Sequence, residues 1–184
     1  YNVVKGRKSD TYVTNRHDIN EEIKNFDIHT ATADVGLVKA NDGKGLVVCE
    51  EKEKVYHEIT VQDGLLKIKT IDNRRWFERW FFNFDIRPMK VTVYLPETAC
   101  ESLNYDSSTG ALDVSSDYTF TSIKAVASTG SIKLSNKVTG DVEARASTGS
   151  VAIKNATANK LYAKASTGSV LVENTEVVGE ARVE

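Results

Sequence analysis

The sequence is poor in the residues that usually staple a small fold or build an active site. In 184 residues it has two cysteines, two prolines, one methionine, two tryptophans and three histidines. Cys49 and Cys100 are too few for a disulfide framework. They read as two small, partly buried thiols rather than one bridge, because free cysteine is usually buried. No run of about 18 apolar residues exists, which rules out a transmembrane helix within this stretch. No secretory signal pattern is visible either. Positive charge is not in excess: 24 Lys and Arg face 26 Asp and Glu, for a net charge of −2 and a pI near 6.0. That balance leaves no basic footprint for nucleic acid. The chain begins at Tyr1 and its single methionine is Met89. It is therefore expected to be a processed or trimmed product, from which an export or anchor segment could have been removed.

What the sequence does have is a repeated sentence. "AVASTGSIKLSN" at 125–136 returns as "ARASTGSVAIKN" and again as "AKASTGSVLVEN", and Ser-Thr-Gly triplets start at Ser108, Ser128, Ser147 and Ser166. The steps are 20, 19 and 19 residues. Aligned on the triplet, the columns before it are Leu103/Ile123/Val142/Leu161, Tyr105/Ala125/Ala144/Ala163 and Ser107/Ala127/Ala146/Ala165. The columns after it are Leu112/Ile132/Val151/Val170 and Val114/Leu134/Ile153/Val172. Within each arm these positions alternate with mostly polar ones, the mark of a half-buried strand. From Ala127 to Ile132 is an odd step, so parity shifts across the triplet and the triplet reads as a corner. Gly110, Gly130, Gly149 and Gly168 suit a corner position with φ > 0.

A period of 19–20 residues is too short for a strand plus a long helix. It fits one coil of an all-β, single-stranded parallel β-helix, with coils stacked about 4.8 Å apart over a continuous core. Right-handed winding is expected from the bias of parallel crossovers. Stacked Ser and Thr hydroxyls should bond along the corner. Asn136, Asn155 and Asn174 should form an amide ladder. The N-terminal half carries a faded copy, "FDIHTATADVGL", followed by strands at 45–51, 54–61, 65–71 and 89–95. Gln62-Asp63-Gly64 reads as a hairpin turn. The expected organisation is one domain: an N-terminal arm or cap at 1–22, irregular coils at 23–102 with an aromatic insertion at 73–87, and regular repeats at 103–184.

"FDIHTATADVGLV", "LLKIKT", "WFERWFFNF…MKVTVYLPETACESLNYDSSTGAL" and the repeated "ASTGS(I/V)" together resemble the bacterial putative-adhesin family of unknown function, over about residues 18–184. The resemblance implies a right-handed parallel β-solenoid, often on the extracytoplasmic side of a membrane behind an anchor. It brings no shared catalytic motif to map onto this chain.

Candidate chemistry is sparse. "LPETA", 95–99, resembles a sortase signal, but 85 residues of strand-forming sequence follow it and it reads as a strand ending at Pro96. His17, His29 and His57 match no zinc spacing and read as solvated, with His29 outward on its strand. No calcium-loop spacing and no G-x-S-x-G is present. No metal, cofactor or catalytic residue is expected. The outward columns Asp106/Val126/Arg145/Lys164 and Asp113/Lys133/Ala152/Leu171 carry mixed charge, which suits a solvated face better than a paired-carboxylate polysaccharide-active site.

The exceptional segment is "NRRWFERWFFNFDIR", 73–87, which holds six of the 15 aromatic residues among four arginines. The i,i+4 pairs Trp76/Trp80 and Phe77/Phe81 allow one or two helical turns at 74–84. A solenoid must cover its terminal coil, so the first reading of this segment is a cap. The second is a contact patch made by Arg75, Trp76, Arg79, Trp80 and Phe81. The expected function is a non-enzymatic, adhesin-like binding module of the cell surface or envelope. Its partner would be a glycan, a protein or a lipid headgroup, with membrane-surface contact and edge-mediated self-association both open. An envelope-stress or membrane-sensing regulatory domain is the alternative.

Overall fold

The repeat columns become layers. The computed structural model describes residues 11–80 and 87–184, without the Trp80 side chain. Among these residues the strands of the N-terminal half are β1 Tyr12–Ile19, β2 Asn25–Thr30, β3 Ala33–Lys39, β4 Gly45–Lys52, β5 Val55–Gln62 and β6 Leu65–Asp72. A five-residue helix α1, Trp76–Trp80, and β7 Met89–Leu95 follow. The repeats supply β8 Ser102–Thr109, β9 Leu112–Val114, β10 Thr119–Phe120, β11 Ser122–Thr129, β12 Ile132–Leu134 and β13 Lys137–Val138. They continue with β14 Asp141–Thr148, β15 Val151–Lys154, β16 Thr157–Thr167, β17 Val170–Glu173 and β18 Glu176–Val183.

Two eight-stranded sheets share one core. Their orders are β1-β4-β7-β3-β9-β12-β15-β17 and β18-β16-β14-β11-β8-β2-β6-β5, and β10 and β13 pair on a short third side. The solenoid-like stack is parallel through the repeats, and the register reproduces the sequence columns. Leu66, Phe26, Leu103, Ile123, Val142 and Leu161 lie one above another, as do Ile68, Ile28, Tyr105, Ala125, Ala144 and Ala163. On the other sheet Val91, Val35, Leu112, Ile132, Val151 and Val170 form the matching column. All but Val170 are buried, and each buried large side chain is worth about 1.5–3 kcal/mol. On the third side Phe26, Tyr118 and Phe120 pack together, with Phe26 and Phe120 edge to face at 5.6 Å.

At the corner the backbone of one coil touches the next. A Cβ placed on Gly130, Gly149 or Gly168 would lie 2.0–2.2 Å from the carbonyl oxygen of the preceding coil's glycine, and their φ values are +132° to +139°. Gly130 N–H and Gly149 N–H donate to Thr148 O and Thr167 O at 2.8 and 2.9 Å. The hydroxyl contacts come from the serine after each glycine rather than from the triplet: Ser150 Oγ lies 3.1 Å from Ser169 Oγ, and Ser150 N–H donates to Ser131 Oγ at 3.2 Å.

Three expectations change. The asparagine ladder does not form: Asn136 is buried and donates to Lys137 O, whereas Asn155 and Asn174 are exposed with φ of 62° and 48°. Those two serve as left-handed turn residues, a role open to asparagine. The winding is not sequential in the N-terminal half. β6–β7 stack on one side of β2–β3 and β8–β9 on the other, so the first coil made is an inner layer. The N-terminal end is closed by the antiparallel strands β1, β4 and β5, and the described part of the aromatic insertion does not take that place. Of the expected N-terminal arm or cap, residues 12–19 are β1, paired antiparallel along the whole of β4 and so part of that closure. The hairpin is as expected: β5 and β6 pair antiparallel, and φ of 52° at Asp63 and 74° at Gly64 give the two left-handed residues of a tight two-residue turn. β7 ends at Leu95, which is buried, so "LPETA" begins inside a core strand.

Candidate functional site

The aromatic insertion stands where the other coils have their corner. β2 reaches β3 through two residues and β8 reaches β9 through two, but β6 and β7 are joined by residues 73–88. Its first half is tied down by charge-assisted bonds. Asp72, the last residue of β6, accepts from Arg74 Nε at 3.0 Å and Arg74 Nη2 at 2.8 Å, and Arg79 Nε lies 3.7 Å away. The Arg74 guanidinium, against an opposing effect of burial, holds the Asp72 carboxyl below the usual carboxylate range. Glu78 reaches back to the Arg75 N–H at 2.8 Å, the carboxylate half of a capping box. Its other oxygen takes Lys54 Nζ. These contacts explain why so short a helix starts at Trp76.

The anchored helix presents the Trp76 and Phe77 rings to solvent. Trp76 is 75% exposed and Phe77 40% exposed, packed edge to face at 6.0 Å. Arg75 and Arg79 are exposed beside them. For Trp76 and Phe77 the cap reading therefore fails. Trp80 contributes its backbone to α1, and Phe81 lies outside the described residues. Near the far end of the insertion, Arg87 stacks over the Tyr12 ring at 4.5 Å.

A second cluster is one the sequence reading missed. His57 is not solvated; it is buried between the sheets with Glu51 and Cys49. Glu51 Oε2 accepts the His57 backbone N–H at 2.7 Å and lies 2.8 Å from His57 Nδ1, and Glu51 Oε1 accepts from Asn15 Nδ2 at 2.6 Å. Burial pushes the Glu51 carboxyl up, but the bonds from His57 and Asn15 outweigh it and leave it below its ordinary value. Burial, with Glu51 adding to it, pushes the Cys49 thiol up to about 12. A signal was available: in "GLVVCEE" the inward parity Val47, Cys49 leads to Glu51, a carboxylate on a core face. His29, by contrast, is half exposed and sits 2.8 Å from Asp27, as expected for an outward position.

The outer face of the repeat sheet holds a shallow concavity with Lys124, Glu143, Arg145, Tyr162 and Arg182 on its floor. Glu143 is engaged there: Arg145 Nη2 lies 2.7 Å from it and the same guanidinium sits 4.7 Å from the Tyr162 ring centre. Among the described residues no helix is long and apolar enough to cross a membrane.

Solved structures similar to this chain include two bacterial proteins. A putative adhesin from Bacteroides fragilis is similar over 96% of this chain and 98% of its own, with 16% identity and a TM-score of 0.46. A putative cell adhesion protein from Clostridium sporogenes is similar over 94% and 99%, with 11% identity and a TM-score of 0.50, a likeness of fold alone. No curated protein matches the chain. The Toastrack DUF4097 family matches residues 23–184, from just before β2 to the last residue, and the chain belongs to that family.

Proposed function

We propose that this chain is a non-enzymatic, adhesin-like binding module of the bacterial envelope, on the extracytoplasmic side, and that the α1 corner is its contact element. Arg75, Trp76, Arg79, Trp80 and Phe81 form the contact, and its target is an anionic membrane surface. The observation that carries the reading is the 75% exposure of Trp76 on a helix pinned by Asp72 and Glu78. A large ring held in water gains on entering an interface, and tryptophan favours the headgroup level of a bilayer. Flanking arginine is attracted to anionic headgroups. The rest of the molecule serves as a rigid right-handed coil stack that carries this corner.

The test is built into the chain, because both tryptophans, Trp76 and Trp80, lie in α1. Vesicles of phosphatidylcholine with phosphatidylglycerol should shift tryptophan emission to the blue and carry the protein through flotation. Phosphatidylcholine alone should do so less. The Trp76→Ala/Phe77→Ala variant should remain folded and stay with the soluble fraction. Flotation of that variant at the wild-type level would refute the patch. The same exposure also suits a membrane-sensing regulatory domain. A signalling defect without loss of vesicle binding, on substitution elsewhere, would favour that reading.

A further inference from the structure

We infer that Cys49, Glu51 and His57 form a binding site for a single divalent transition ion of the zinc type. One ligand atom from each of the three lies within 4.8 Å of the other two. All three residues are buried, with the Glu51 side chain 2% and the His57 side chain 0% exposed. Zinc bonds of about 2.0 Å to nitrogen or oxygen and 2.3 Å to sulfur place neighbouring ligand atoms roughly 3.5 Å apart. The cluster is within a small adjustment of that arrangement, with the Glu51–His57 contact opening from 2.8 Å.

A buried ion pair of Glu51 and His57 leaves one donor unused, the thiol of Cys49, a soft donor on the same inward face of β4 as Glu51. His57 would offer the ion Nδ1, the ring nitrogen beside Glu51; its Nε2 atom, buried and without a hydrogen-bond partner among the described residues, lies on the far side of the ring. A sulfur, nitrogen and oxygen set selects zinc-like ions over magnesium or calcium, which take oxygen ligands. Charge also closes: a dication with one thiolate, one carboxylate and one neutral imidazole sums to zero, the form a buried site tolerates best. Binding displaces the Cys49 proton to solvent, and no oxidation or reduction is involved. The Asn15 amide, bonded to the second Glu51 oxygen, then orients the carboxylate from outside.

The three ligands come from the strands that close the N-terminal end. Cys49 and Glu51 are on β4 and His57 on β5, and the crossover from one sheet to the other lies between them. An ion would clip the two sheets together at that crossover. This inference is independent of the α1 contact, which shares none of its residues.

Cobalt(II) is the probe. The full chain, reduced and titrated with Co2+ directly and by refolding in its presence, should bind one equivalent. Binding should show a thiolate-to-cobalt charge-transfer band in the near ultraviolet and the strong visible bands of a four-coordinate ion, the three side chains being completed by one water. Zn2+ should bleach both. Cys49→Ser and His57→Gln should lose the sulfur band or the four-coordinate spectrum, while Cys100→Ser keeps both. Should Cys49→Ser fail to fold, alkylation of the wild type decides instead, with Zn2+ slowing modification of Cys49 and leaving Cys100 unchanged. No charge-transfer band under either loading, or a band that survives Cys49→Ser and disappears with Cys100→Ser, would overturn the site. Equal protection of both thiols would overturn it as well.

Discussion

Replacing Gly149 by alanine tests the stacking at its tightest point. The new methyl group would stand 2.2 Å from Gly130 O and 2.7 Å from Gly130 C, where real Cβ atoms come no closer than 3.0 Å. Restoring that distance moves the two coils apart by about 0.8 Å at the corner. The Gly130 N–H to Thr148 O bond, now 2.8 Å, would then lengthen to about 3.6 Å and cease to count as a hydrogen bond. Losing it costs about 0.5–1.5 kcal/mol. Holding an L-residue at φ of +132° adds about 1–3 kcal/mol. The expected total is about 2–4 kcal/mol, which in a domain of this size lowers Tm by about 5–15 °C. Gly36→Ala is the control, because its methyl would meet only Thr92 Cγ2 at 4.0 Å and its backbone is not left-handed. Thermal and urea melts of both variants decide. If Gly149→Ala stays within about 0.5 kcal/mol of wild type, or if Gly36→Ala is equally harmful, the corner contact does not carry the stack.

Three further outcomes follow from single positions. Ala146 is buried in a column of small residues beside the corner, so Ala146→Leu should overpack it and cost about 1–3 kcal/mol in a urea melt. Asp72 has a folded pKa below its unfolded value, so its contribution is complete above pH about 3.9 and fades as pH falls through the lower folded value. Tryptophan emission should report loosening of α1 only in that acid range, and Asp72→Asn should show the loosened signal already at neutral pH. Cys49 and Cys100 are both free and buried, with thiols pushed up to about 12 and about 11 by burial. Two thiols should therefore titrate in denaturant without reductant and react slowly in the native protein; a count of zero would mean a bridge.

The repeat columns were legible because coils that follow one another in sequence also lie next to one another in space. Ile123, Val142 and Leu161 are spaced by 19 and stacked in that order, so periodicity and adjacency say the same thing. That equivalence fails between β3 and β8. The copy at 26–37 matches the register, yet nothing in a column tells on which side of it the next layer is laid, and β6–β7 take one side while β8–β9 take the other. β1 was hidden by its composition. As an edge strand it needs only one paired side, so Asn15, Arg16 and Asp18 are tolerated where a central strand would show alternation. The asparagine column misled for a related reason: identical residues at identical spacing met different turns, inward at Asn136 and left-handed at Asn155 and Asn174.

The same contrast separates scaffold from site. A residue that recurs in every coil is explained by the coil, since each copy meets the copy above it under the same geometry. The glycines, alanines and serines of the corner are all of this kind, and no single copy has a task of its own. Function is to be sought where the pattern is interrupted at a structural cost. A corner that needs two residues elsewhere takes sixteen between β6 and β7, and the surplus holds a tryptophan in water. Among the described residues the other layers bury no carboxylate or imidazole, whereas the closing one takes Glu51 and His57 beside Cys49. Burying that carboxylate is stabilising only while Asn15 and His57 hold it, and removing a partner from such a pair costs far more than never having built it. Were the cluster simply filler, an apolar triple such as Cys49→Val/Glu51→Leu/His57→Leu would fold at least as stably as the parent. It would do so with no loss in cobalt binding, because there would be none to lose. A triple that folds well but forfeits the cobalt spectrum would separate the two roles, stability carried by packing and ion capture carried by these three side chains.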